Sequence, residues 1–202
     1  MTYLNKENMP MLMGMLVAAL AVVIAVILYV RNSSRRTDGK EITRVIKKYS
    51  DAHERDVIFS DGIGGYFFID YLILLPGQII ALNISRVAGY VFGGDNIEIW
   101  TQVENNKSTK FKNPLEDVKL FVKLAAEQLK FDGIMARVLF DSKSEFPKGV
   151  PEGVLQLASF KESMTAWAGE THLAEATNPA WDKLSALLAE SRERYNKEAG
   201  VR

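Results

Sequence analysis

The apolar positions of this chain follow three different periods. Pro10–Val30 (PMLMGMLVAALAVVIAVILYV) holds no charge and no strongly polar side chain over 21 positions. As a helix that run is about 30 Å long, the thickness of a hydrocarbon core. A buried core helix rarely stays apolar so long, and a cleavable signal peptide usually has a basic leader and a shorter apolar stretch. The pattern therefore predicts a retained transmembrane helix. Next, Ile42, Val45, Ile46 and Tyr49 recur at i, i+3, i+4 and i+7 within KEITRVIKKYSDAHERD, which predicts an amphipathic helix. From Tyr66 to Leu75 nearly every residue is aromatic or branched, the signature of a strand buried on both faces.

The remaining elements follow from punctuation. Val57–Phe59 reads as a brief strand, and the three glycines of SDGIGG (60–65) suit a tight connection. That run precedes a strand and not a helix, so it lacks the helix N-terminus that a phosphate loop needs. Pro76-Gly77 turns the chain, Gln78–Ser85 returns, Gly89–Phe92 continues, and Ile97–Val103 alternates apolar and polar. Glu104–Lys112 reads as a polar loop. Pro114 opens a helix to about Lys130 with Asn113 as N-cap, its apolar positions being Val118, Phe121, Val122, Leu124, Ala125 and Leu129. Ile134–Phe140 is a further strand, Asp141–Gly153 a loop, and Val154–Phe160 an extended segment. Helices over Lys161–Gly169 and Pro179–Glu198 close the chain. Helices before and after a mixed sheet predict an α/β sandwich.

Composition narrows the chemistry. There is no cysteine, which excludes disulfides, thiolate metal sites and thiol nucleophiles. His53 and His172 are far apart, so a histidine-rich zinc site is not expected. Lys plus Arg equals Asp plus Glu, 25 each, so the basic excess of a strong non-specific phosphate binder is missing. Arg31, Arg35, Arg36 and Lys40 follow the apolar run, whereas Lys6 alone precedes it. The positive-inside rule then predicts a bacterial-type inner-membrane protein, single-pass, with the N-terminus outside and the C-terminal domain cytoplasmic. The expected divisions are 1–9 outside, 10–30 across the membrane, 31–39 a basic linker, 40–160 a folded domain and 161–202 a helical extension.

One constellation suggests chemistry. Asp70 lies within FFIDYLIL, where a carboxylate is costly unless paired, hydrogen-bonded or metal-bound. A strand pair can present such an Asp beside two residues of the next strand spaced i and i+2. With an acid and a lysine at those two positions the group would hold Mg²⁺ for phosphodiester hydrolysis. Here the two positions are Asn83 and Ser85.

The ordered set of an Ile69-Asp70 strand, the Pro76-Gly77 turn, Gly89, Trp100-Thr101-Gln102 and Asn113-Pro114 resembles the nuclease-related domain, NERD, of the PD-(D/E)XK nuclease superfamily. The resemblance covers about Gly39–Phe160. It implies a restriction-endonuclease-like mixed sheet flanked by helices, here preceded by one N-terminal transmembrane helix. It also matches Asp70 to the family's metal-binding Asp, Glu41 to an assisting Glu of the first helix, Asn83 to its Glu and Ser85 to its Lys. Asp117 stands where a Gln is common.

Asn83 lowers the charge facing a metal by one, and Ser85 removes the cation. Each loss costs on the order of 10²–10³ in rate where a charge-stabilising group is deleted. Both side chains can instead donate hydrogen bonds to Asp70. The expectation is a decayed nuclease site without a bound cofactor, in a membrane-anchored module that binds nucleic acid or protein. In the first alternative the enzyme is an active Mg²⁺-dependent nuclease, with Glu41, Asp70 and Asp117 on the metal and Lys110 or Lys112 as a migrated cation. In the second it is a tethered scaffold that binds protein only.

Overall fold

The computed structural model describes residues 9–170 and 174–200; the side chains of 9–14, 16 and 27–37 lie outside the description. His172 and the segment 1–8 are likewise outside it. The chain divides into two compact units, Met1–Lys40 and Glu41–Arg202.

Helix α1 runs over Met9–Tyr49 without a break, so the linker expected at 31–39 is helical. Its described apolar side chains between Met15 and Val26 are exposed. Among the described residues, no helix is long and apolar enough to cross a membrane. The span expected over 10–30 thus gains no support here, because part of its apolar run falls outside the description.

The second unit is a mixed α/β fold whose sheets are flanked by helices, and it fits the restriction-endonuclease-like plan. Its strands are β1 (Ala52–Ser60), β2 (Tyr66–Leu75), β3 (Gln78–Ser85), β4 (Gly89–Phe92), β5 (Ile99–Glu104), β6 (Lys107–Lys112), β7 (Ile134–Phe140), β8 (Ser144–Glu145) and β9 (Val154–Gln156). Helices α2 (Leu115–Leu129), α3 (Leu157–Ala168) and α4 (Ala174–Glu198) complete it. The main sheet has the order β1-β2-β3-β7-β9, antiparallel through β3 and parallel from there on. A smaller sheet has the order β6-β5-β4-β8.

Both faces of the main sheet are covered, which is why its central strands are apolar throughout. On one face Leu72, Leu74, Ile79, Ala81 and Val138 pack with Phe121 of α2, Leu184 of α4 and Trp100 of the small sheet. On the other, Tyr71, Ile73, Ile80 and Leu82 pack with Ile42 and Ile46 of α1 and Phe160 and Met164 of α3.

Several elements differ from expectation: α3 starts at Leu157, inside the segment expected to be extended to Phe160, and Ser144–Glu145 of the expected loop forms β8. The first amphipathic helix stops at Tyr49, and β1 takes the polar run from Ala52, because it pairs with β2 from Leu74 back to Tyr66. The expected loop Glu104–Lys112 is the second arm of a hairpin. Asn105 and Asn106 both adopt positive φ (52° and 60°), the left-handed pair that a two-residue hairpin turn requires. Finally, the helix expected from Pro179 starts at Ala174 and includes the proline in its interior.

The last two turns of α4 grip the β1–β2 hairpin. Ser191 Oγ accepts the Ser60 N–H at 3.2 Å, and Arg192 donates to the carbonyls of Asp56 (3.0 Å) and Arg55 (3.4 Å). Tyr195 meets Tyr66 and Phe68 edge to face, and the Tyr66 hydroxyl donates to Glu198 at 2.7 Å. Arg192 thus ties α4 to the backbone of β1.

Candidate functional site

The β2–β3 ladder stops at Tyr71↔Leu82. Beyond it the two strands part: β2 continues beside β1, and β3 continues beside β7 as far as Ser85↔Phe140. Asp70 and Asn83 stand at this fork. The Asn83 side chain does there what a strand partner would do. Its Oδ1 accepts the Asp70 N–H at 2.9 Å, and its Nδ2 donates to the Phe68 carbonyl at 3.3 Å. The Asp70 carboxylate is held in turn by the Ile84 N–H, which donates to Oδ2 at 2.6 Å. On the far side of β2 the register skips one pair, between Arg55↔Tyr71 and Val57↔Ile69, and Asp56 there has a φ of +50°.

Asn83 thus meets Asp70 as expected, but its amide bonds the backbone and not the carboxylate. Ser85 shares the face of Asn83 by strand alternation. Its carbonyl accepts the Asp141 N–H at 3.2 Å. No hydrogen bond joins the Ser85 hydroxyl to Asp70 among the described residues.

The other candidates lie apart from the fork. Glu41 is exposed on α1, immediately before the buried Ile42, and shares no hydrogen bond with Asp70 among the described residues. Asp117 is exposed on α2 and takes an ion pair from Lys112 at 2.8 Å, with Glu116 at 3.6 Å from the same ammonium. The Asp117 hydrogen bond raises the Lys112 pKa above the ordinary lysine value. Lys112 is therefore occupied and is no replacement cation for Asp70. Sequence reasoning passed over Asp141, which is only 5% exposed and lies next to Ser85. Its Oδ1 accepts the Lys143 N–H at 3.1 Å, so it shapes the turn that leads to β8. The mark it left in the sequence was an Asp directly after an apolar strand.

The turn Ser60–Gly65 is closed by Asp61, whose Oδ1 accepts the N–H groups of Ile63 (2.9 Å) and Gly65 (2.7 Å). A carboxylate thus occupies the loop, in keeping with the connection read from its glycines.

The remaining motif residues build the scaffold. Trp100 is fully buried, and its indole N–H is shared between the carbonyls of Ile97 (3.0 Å) and Gly94 (3.2 Å). A Cβ on Gly93 would lie 2.1 Å from the Trp100 ring. Gln102 donates to the Ala88 carbonyl at 2.7 Å, beside Gly89, whose φ is +83°. Asn113 Oδ1 accepts the Leu115 N–H at 2.9 Å and so caps α2 from one residue before Pro114.

Residues 39–143, just over half of the chain, match the family model described as nuclease-related domain. The chain belongs to this family. The match ends at Lys143, short of the expected Phe160, although β9 completes the same sheet as the matched strands. Among curated proteins and among solved structures, none matches the chain.

A nuclease-related domain that cuts phosphodiesters with Mg²⁺ needs several hard oxygen ligands converging on one point. Among the described residues the expected donors do not converge. Asp70 brings one carboxylate already bonded to Ile84, Asn83 is spent on strand backbone, and Asp117 is paired with Lys112. Among the described residues, no three of Asp, Glu and His come together in a way that could hold a metal.

Proposed function

We propose that this nuclease-related domain is a non-cleaving binding module, tethered to the bacterial inner membrane by residues 10–30 and facing the cytoplasm, with nucleic acid as its partner. The observation that carries this reading is the use of Asn83. Where the resemblance calls for an acid aimed at a metal, this chain has an amide that closes the β2–β3 fork through backbone groups. Gly89, Trp100, Gln102 and Asn113 meanwhile keep the scaffold. Support for the tether comes from the 21 uncharged positions and the basic cluster that follows them.

The purified full-length chain, in detergent, should leave plasmid and single-stranded DNA intact with Mg²⁺ or Mn²⁺. Cleavage that disappears in Asp70→Ala would overturn the non-cleaving reading. The tether is tested separately: the chain should stay in the membrane pellet after alkaline carbonate extraction. Its release into the supernatant would refute the anchor and leave the site untouched.

A further inference from the structure

We propose that the outward face of the small sheet is a docking surface for single-stranded nucleic acid. The face is defined by alternation. Val91, Trp100 and Phe111 point into the core. Their neighbours Tyr90, Phe92, Ile99, Thr101, Val103, Lys110 and Lys112 therefore point outward. Register places Phe92, Thr101 and Lys110 in one row across three strands, with Tyr90 and Val103 in the next. Tyr90 is 50% exposed and Ile99 47%.

Tyr90 and Phe92 lie two residues apart on one strand, about 7 Å along it. Consecutive bases of an extended strand can thus each find a ring, and stacking on a ring does not depend on which base it is. The rim is cationic. Lys148 rests over the Phe92 ring at 5.8 Å and must swing aside for a base to stack there, and Lys110 flanks the face from β6. Among the described residues, neither lysine takes part in an ion pair. Lys112 is partly neutralised by Asp117 and Glu116, and Glu145 pairs beside Tyr90. A flat aromatic surface with ammonium groups at two edges is complementary to a flexible polyanion with exposed bases. Zero net charge is compatible with such a surface, since only one face needs the excess.

The inference rests on the binding-module reading, which it deepens. The test is fluorescence anisotropy of a labelled oligothymidylate with the full-length chain in detergent, beside a duplex of matched length. Tyr90→Ala and Phe92→Ala should each weaken oligonucleotide binding about tenfold. Lys110→Glu, at an exposed position of the edge strand, should weaken it and flatten its salt dependence. Absence of oligonucleotide binding would overturn the proposal, as would binding that none of the three changes alters. Affinity for anionic vesicles or for a protein, without affinity for the oligonucleotide, would overturn it too. Cleavage of DNA lost in Asp70→Ala would instead refute the non-cleaving reading and leave this surface in place.

Discussion

Beyond the last ladder pair, the Asn83 side chain bridges β3 to the backbone of β2: its Oδ1 takes the Asp70 N–H at 2.9 Å and its Nδ2 reaches the Phe68 carbonyl. One amide therefore ends a ladder that two backbones no longer sustain. The same side chain cannot at once be an acid aimed at a metal.

Asn83→Ala should reveal this role as stability. Two hydrogen bonds are lost at a partly buried position, at about 0.5–1.5 kcal/mol each. The unfolding free energy from urea titration should fall by about 1–3 kcal/mol. A variant as stable as the parent would show that the fork closes without the amide.

Gly93→Ala tests whether the tryptophan motif is scaffold. The added methyl would meet the ring of the fully buried Trp100 at 2.1 Å. Overpacking of this kind costs about 1–3 kcal/mol or more. A large loss of melting temperature is expected, and an unchanged melting curve would contradict the packing described.

Tyr66 should titrate above an ordinary tyrosine. Its pKa is raised first by desolvation and then by its hydrogen bond to Glu198. The neutral phenol is favoured in the folded state, so the associated stability is complete below the unfolded-state value and is lost as pH rises through the folded one. Site-resolved NMR of the tyrosine ring carbons should place its transition high. Glu198→Gln should bring it only part of the way back, because the larger cause remains.

Lys130 ends α2 with φ at 55°, and its N–H donates to the Ala126 carbonyl. A left-handed C-terminal residue is the place glycine fills without strain. Lys130→Gly should raise the unfolding free energy by about 0.5–1 kcal/mol in the same urea assay. Destabilisation would mean that the Lys130 side chain makes contacts of its own.

Much of the plan was legible because local pattern and tertiary role agreed. Ile79–Leu82 and Leu72–Leu75 are apolar on both faces and end as central strands between two layers. The period of Val118, Phe121, Ala125 and Leu129 marked the buried side of α2. What stayed hidden depended on distant partners. Lys107–Lys112 has one apolar residue in six and becomes a strand only through pairing with β5. His53–Asp56 continues a helical run in sequence, yet β2 draws it into the sheet. At the site, Asp70 and Asn83 stand side by side, but the bonds between them were not readable. Whether an amide faces a carboxylate or a peptide group depends on where the ladder ends, and no residue type marks that point.

The grip of α4 on the β1–β2 hairpin joins residues 131 to 137 positions apart. During synthesis the strand that carries Asp70 leaves the ribosome long before Ser191 and Arg192 do. Its hairpin must then wait, with Phe68 and Tyr66 uncovered, until that late segment arrives, which makes this nascent stage the moment of greatest exposure to chaperones and proteases.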